Sequence, residues 1–124
     1  MKNLVETVLE DLSTKERFLF RVFCAECGEE YGNKPIRFSK AGAAALPPGK
    51  QEIYTALYEQ EHRDARFLAI SNAAEHMNYC PICKRLVCNR CFLICEDLDM
   101  CRHCARELQQ TGQPVMPQLV ETAI

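Results

Sequence analysis

The sequence predicts an α+β fold, a small module stapled through cysteine and joined to one long α-helix. Three observations point to it. Four Cys-x-x-Cys pairs occur in the chain, three of them within 25 residues. The 28 residues from Gln51 to Asn78 contain neither Gly nor Pro and are rich in Ala, Glu, Leu, Gln and Arg, all good helix formers. A Phe- and Val-rich run, Glu16 to Phe23, leads straight into the first pair, as a short strand entering a turn would.

The elements follow in order. Residues 2–12 place Leu4, Val5, Val8, Leu9 and Leu12 on one helical face, with Glu6, Glu10 and Asp11 opposite, which is the pattern of a short amphipathic helix over 1–12. Ser13-Thr14 interrupts it. Within Glu16–Phe23, Phe18, Phe20 and Val22 share one face of a strand. Cys24-Ala25-Glu26-Cys27-Gly28 has the form of a zinc knuckle, in which Gly relieves the backbone where the chain reverses. Residues 34–39 are expected as the return strand, so that 16–39 holds the first knuckle. Ala41 to Lys50, with Gly42, Pro47, Pro48 and Gly49, reads as a linker. The long helix over 50–78 carries Ile53, Leu57 and Leu68 near one face, with Tyr54, Tyr58, Ala65 and Ala69 beside them. Its length of roughly 40 Å exceeds what a small domain needs, which predicts either an exposed polar middle or a partner helix. Residues 79–110 form the cysteine-rich module. From 111 to 124 the chain has Gly112, Pro114 and Pro117 and no period. It reads as a tail, either disordered alone or docking a partner through Val115, Met116, Leu119 and Val120. Residues 1–110 are thus expected as a single domain.

The chemistry lies in the pairs Cys24/Cys27, Cys80/Cys83, Cys88/Cys91 and Cys101/Cys104. A two-residue gap lets both sulfurs of a pair reach one tetrahedral ion, and two pairs close a four-cysteine site. Four pairs therefore imply two metal ions, with Zn(2+) expected. A tetrahedral iron site accepts the same ligands. The ion supplies folding energy that a small core lacks. The start of the chain has no apolar stretch of signal-peptide form, and no window approaches a membrane span, so a cytoplasmic, soluble protein is expected. In a reducing compartment, paired cysteines bind metal more often than they form disulfides. The formal charge is −2. Eight thiolates and two Zn(2+) would bring it to about −6, which argues against a surface attractive to phosphate everywhere.

The order pair, long gap, pair, four residues, pair, gap, pair resembles the interleaved cross-brace fingers of the FYVE and RING-like class, and the Cys-rich zinc-ribbon proteins of prokaryotes. The stretch Cys101-Arg102-His103-Cys104-Ala105-Arg106-Glu107-Leu108 looks like a helix start with two ligands in its first turn, as in a treble clef. The resemblance implies that Cys24/Cys27 join Cys88/Cys91, and that Cys80/Cys83 join Cys101/Cys104. The tandem alternative pairs Cys24/Cys27 with Cys80/Cys83 and Cys88/Cys91 with Cys101/Cys104. The chain departs from both named classes. It has Lys84-Arg85-Leu86-Val87 where FYVE fingers carry the basic Arg-His-His-Cys motif for phosphoinositides, so lipid binding is not carried over. It also lacks the His ligand of RING ubiquitin ligases.

Cys95 is the spare cysteine and reads as a buried thiol, with an alternative ligand or reactive thiol as the sharper option. His62 and His76 read as surface or core residues, and His103 as pointing away from the ion shared by its neighbours. Thiolate-saturated zinc has no open position for water, and no His-Glu-x-x-His, deaminase signature or phosphate loop is present, so no enzyme is expected. Two functional classes remain. One is a protein-interaction or regulatory module with a protein partner or a homodimer. The other is nucleic-acid binding through Lys84, Arg85, Arg90, Arg102 and Arg106, set against Glu96, Asp97, Asp99 and Glu107. A redox or metal sensor is the third possibility.

Overall fold

The computed structural model describes residues 1–42 and 49–115. The Pro47-Pro48 part of the expected linker, and Met116, Leu119 and Val120 of the expected tail, lie outside them. The chain mixes helices and small sheets, an α+β arrangement with one long helix.

Helix α1 spans Lys2–Val8, and Leu9 leaves it in extended conformation. The helix expected to run to residue 12 stops four residues early because its continuation is claimed by a ladder. Strand β1 (Glu10–Asp11) pairs antiparallel with β3 (Phe20–Phe23), Glu10 opposite Arg21 and Asp11 opposite Phe20. Ser13 and Thr14 make the turn between them. Asp11 Oδ1 accepts from the Ser13 amide, Thr14 Oγ1 from those of Glu16 and Arg17, and Ser13 Oγ from Leu19. Short polar side chains are favoured in turns because they bond local backbone in this way. Of the predicted α1 stripe only Val5 is buried, while Leu4, Val8 and Leu12 are exposed.

The expected strand over 16–23 is two strands. β2 (Arg17–Phe18) pairs with β5 (Ile36–Arg37), whereas β3 pairs with β4 (Glu30–Gly32). The strand that returns from the knuckle is β4, ahead of the expected 34–39; within that range only β5 is strand, and it pairs with β2 instead. Phe18, Phe20 and Val22 are all buried, as their period-2 spacing requires. Asn33 bridges the break at Leu19. It is the one buried polar side chain among the described residues, accepting from the Phe20 amide at 2.8 Å and donating to Phe18 O at 3.1 Å and Lys34 O at 2.8 Å. Next to it, Gly32 sits at φ +149°, where an added Cβ would collide with Phe20 O. The close approach of β3 and β4 admits no side chain there.

Helix α2 spans Gln51–His76, and its last turn gives way to β6 (Met77–Tyr79). Nothing in the sequence breaks the helix at His76. Pairing of β6 with β7 (Leu86–Cys88) does, with Met77 opposite Cys88, and Asn89 N–H caps the His76 carbonyl at 3.1 Å. The buried face of α2 is Ala65, Ala69, Ile70 and Ala73. Small residues let the strands lie close to the helix. Ile53 and Leu68, expected on that face, are exposed at 55% and 54%, and Phe67 at 62%. The Lys2 ammonium stands 5.3 Å above the Phe67 ring.

Strands β8 (Phe92–Cys95) and β9 (Met100–Cys101) form a further hairpin, followed by α3 (Arg102–Glu107). Strand β10 (Gly112–Pro114) adds to the other edge of β8, Gln113 opposite Ile94. The expected irregular tail from residue 111 thus begins as an edge strand, a place that tolerates Pro114. Two apolar clusters result. One gathers Val5, Val22, Ile70, Ala73, Met77, Val87 and the buried cysteines; the other gathers Phe18, Phe20, Phe38, Ala65 and Ala69. His62 belongs to the margin of the second, its ring 5.0 Å from that of Phe20 and its Nε2 2.8 Å from Asp11 Oδ2.

Removing the Asn33 amide leaves the buried Phe20 N–H without a partner, which costs about 1–3 kcal/mol. Asn33→Ala is expected to lower stability by about 2 kcal/mol, read from urea unfolding at fixed metal concentration so that metal linkage does not shift the midpoint.

Candidate metal centres

Two hairpins of the same construction carry the first two cysteine pairs. In the first, β3 enters Cys24–Cys27 and β4 leaves. Cys24 N–H donates to Glu29 O at 2.9 Å and Gly28 N–H to Cys24 O at 2.9 Å. In the second, β6 enters Cys80–Cys83 and β7 leaves, with Cys80 N–H on Arg85 O at 2.9 Å and Lys84 N–H on Cys80 O at 2.8 Å. The residue after each pair is left-handed, Gly28 at φ 78° and Lys84 at φ 60°. Gly adopts this without a Cβ penalty and Lys does not, so the second knuckle folds against a local preference that its surroundings override.

The other two pairs sit at chain reversals. Cys88 ends β7, and Cys91 follows one tight turn later, its N–H on Cys88 O at 3.0 Å. Cys101 is the N-cap of α3, its sulfur accepting from Cys104 N–H at 3.4 Å.

Cys24, Cys27, Cys88 and Cys91 bring their four sulfurs within 4.8 Å of one another, and so do Cys80, Cys83, Cys101 and Cys104. The first and third pairs share one cluster, the second and fourth the other. The tandem alternative is not what the chain adopts. Within the clusters, Cys27–Cys88 is 3.7 Å, Cys80–Cys104 3.8 Å and Cys83–Cys101 3.7 Å. Tetrahedral Zn–S bonds of about 2.3 Å place sulfurs about 3.8 Å apart, so each group has the size to hold one metal ion. Backbone amides point at the sulfurs, Cys88 N–H to Cys24 Sγ at 3.2 Å, Cys27 N–H to Cys24 Sγ at 3.4 Å and Cys101 N–H to Cys80 Sγ at 3.4 Å.

Electrostatics separates the members of each cluster. Burial opposes ionisation of Cys80, but amides of Cys83, Cys101 and Ile82 outweigh it and lower that thiol to about 6. Burial likewise opposes Cys88, yet the Tyr31 hydroxyl and the Arg90 amide bring it down to about 7. Cys91 and Cys104 are driven the other way, by burial first and then by their neighbouring sulfurs. Cys83 is lowered as well, with the Arg85 guanidinium the leading cause against burial, so each group favours ionisation of some sulfurs and resists the last, the behaviour of like charges crowded together. A cation removes that resistance.

Two arginines of the basic set, Arg85 and Arg90, lie against the sites and are ion-paired. Arg85 Nε lies 3.3 Å from Cys83 Sγ, and its Nη2 3.3 Å from Glu26 Oε2. Arg90 Nη2 bonds Glu29 Oε2 at 3.2 Å, and the nearby Cys88 and Glu29 favour its charged form. Arg85 follows the second cysteine of its pair, Cys83-Lys84-Arg85, whereas Arg90 lies inside its pair, Cys88-Asn89-Arg90-Cys91.

The remaining candidates take no part. Cys95 is half-buried, beside Leu93 O and outside both clusters. His103 is exposed between its two ligand neighbours. His76 stacks on Tyr31 at 5.2 Å and bonds Asn72 O. Among the described residues no helix is long and apolar enough to cross a membrane. Comparison with protein-family models, curated proteins and solved structures finds no match for this chain.

Elemental analysis of folded protein is expected to give two metals per chain, and Cys24→Ala is expected to give one, held by Cys80, Cys83, Cys101 and Cys104. The pH dependence follows from the thiols. Burial and the neighbouring sulfurs raise Cys27, Cys91, Cys101 and Cys104 in the metal-free clusters, so these thiols hold protons at neutral pH that uptake releases, and affinity falls as pH falls. Below about pH 6, where Cys80 is protonated as well, the fall steepens. Calorimetry of metal uptake in buffers of different ionisation enthalpy measures the released protons directly.

Proposed function

We propose that this chain is a non-catalytic zinc-binding module, in which two zinc ions, each held by four cysteines, cross-brace a treble-clef-like platform that docks a protein partner. One observation carries the docking half. An apolar groove of about 240 Å³ runs between α1 and the two knuckle hairpins, bedded on Leu4, Val8, Phe23, Tyr79 and Leu86 with Lys84 at its side. Phe23 precedes Cys24 and Tyr79 precedes Cys80. The groove wall is therefore set by the same backbone that carries the ligands, and its shape follows metal occupancy. The fitting occupant is an apolar segment carrying an acidic residue for Lys84.

The absence of catalysis rests on the donor set. Four thiolates per ion leave no position for substrate or water and neutralise the metal as a Lewis acid. A nucleic-acid surface is disfavoured because Arg85 and Arg90 are already paired with Glu26 and Glu29, which leaves Lys84, Arg102 and Arg106 from the basic set. The solvent-facing Ile53, Phe67 and Leu68 of α2 suit a second copy of the chain.

A photoreactive residue at position 8, introduced in the native cell, is expected to give one discrete protein adduct. Leu4→Glu is expected to abolish it with two metals retained. Adducts to nucleic acid, or none, defeat the docking half. Sedimentation equilibrium at micromolar concentration settles the homodimer: a single 14.2 kDa species without concentration dependence excludes it.

A further inference from the structure

We infer that Arg85 couples the two metal centres, so that filling one raises the affinity of the other. Its guanidinium reaches both sites at once. On one side Nε lies 3.3 Å from Cys83 Sγ and Nη2 3.9 Å from Cys101 Sγ, both in the second cluster. On the other side Nη1 donates to Ala25 O at 3.1 Å and Nη2 to Glu26 Oε2 at 3.3 Å. Ala25 and Glu26 are the two residues between Cys24 and Cys27, so they are the first knuckle itself. The next residue along, Leu86, accepts from Ala25 N–H at 3.0 Å. Residues 85 and 86 thus grip both the N–H and the carbonyl of Ala25.

The sign of the coupling follows from charge. Four thiolates around a divalent ion keep two negative charges, which hold the guanidinium in place. Arginine is suited to this because its donors are fixed in a plane and its charge is permanent. Once held, Arg85 orients the first knuckle before its own ion arrives, and a site organised in advance binds more tightly. By linkage the effect is reciprocal. Arg85 also stands between two anionic centres and reduces their mutual repulsion. Arg90 does not duplicate this, since its partner Glu29 and its neighbour Cys88 both belong to the side of the first cluster. Arg85 is therefore a positioning residue for the first knuckle. The inference rests on both clusters holding zinc, which elemental analysis tests separately.

Native mass spectrometry of the full chain at substoichiometric Zn(2+) decides it. The quantity read is the square of the singly loaded population divided by the product of the metal-free and doubly loaded populations. This ratio cancels an equal loss of affinity at both sites; with each site's own affinity fixed from chains in which the other site is broken (Cys24→Ala, Cys80→Ala), its remaining change is the coupling. Arg85→Gln is expected to raise it about tenfold, as a coupling of ordinary size would. Glu26→Gln, which leaves every sulfur and every Arg85–sulfur contact in place, is expected to raise it at least about threefold, and it carries the test if Arg85→Gln does not fold. An unchanged ratio in Glu26→Gln overturns the inference, whatever Arg85→Gln does, because Arg85 would then serve the second site alone. A parental chain that takes up fewer than two ions instead defeats the zinc reading.

Discussion

Eight sulfurs in two groups, each within 4.8 Å, form an arrangement that thiolates alone do not tolerate. Like charges at that separation repel, and burial withdraws the water that would soften the repulsion. Protonation relieves the charge but leaves weak S–H donors in place of strong contacts. A bound cation is the arrangement's natural complement, and every hairpin that carries a cysteine pair ends at one of these groups. The β3–β4 and β6–β7 hairpins close at knuckles, β7 runs into the turn to β8, and β9 delivers Cys101 to the start of α3. The strands are two to four residues long, far too short to hold themselves together by ladder bonds. Their ends are fixed in space instead.

The two sites do different work on the chain. The second joins residues up to 24 apart, as Cys80 and Cys104 are. The first joins Cys27 to Cys88 across 61 residues, and α2 lies wholly inside that span. Helix α2 is the strut of the loop. It carries the chain away from the first hairpin and brings it back, with its alanine face against β3 and β4. Gly32 N–H bonds the Asn72 side chain at 3.0 Å, and a hydrogen bond from Tyr58 Oη reaches back to Thr14 O. The apolar clusters on either side of this face are modest, and the bonds through Asn33, Asn72 and the arginines stand where a larger protein would bury more hydrocarbon.

The cysteines were the most legible part of the chain, because ligand spacing is a local property and four Cys-x-x-Cys pairs in one short chain have few uses besides binding metal. The interleaved grouping came through resemblance, and the distances agree with it. Element ends were legible only where side chains mark them. Ser13-Thr14 announced a turn, and Gly28 announced the first knuckle. Nothing announced the end of α1 at Val8, the break at Leu19 or the change from helix to strand at Met77, since each is decided by a partner strand elsewhere in the sequence. The face of α2 was misread for a related reason. Leu and Ile outweigh Ala on any hydrophobicity count, but close approach of strands selected Ala65, Ala69 and Ala73 and left Leu68 outside. Arg85 and Arg90 were counted as surface charge because their acceptors, Glu26 and Glu29, lie 59 and 61 residues away.

Interleaving also sets a problem for the chain as it is made. A nascent polypeptide presents Cys24 and Cys27 first, and the next pair to emerge, Cys80 and Cys83, is the wrong partner. A complete but mistaken set of four thiolates exists from that moment. The right partner is finished only when Cys91 appears, a few residues later, an interval of about a second at ordinary rates of synthesis. The short spacing between Cys83 and Cys88 keeps that window narrow. It would also place the correct thiolates beside any ion captured by the wrong set, so that re-sorting by ligand exchange would need no second encounter.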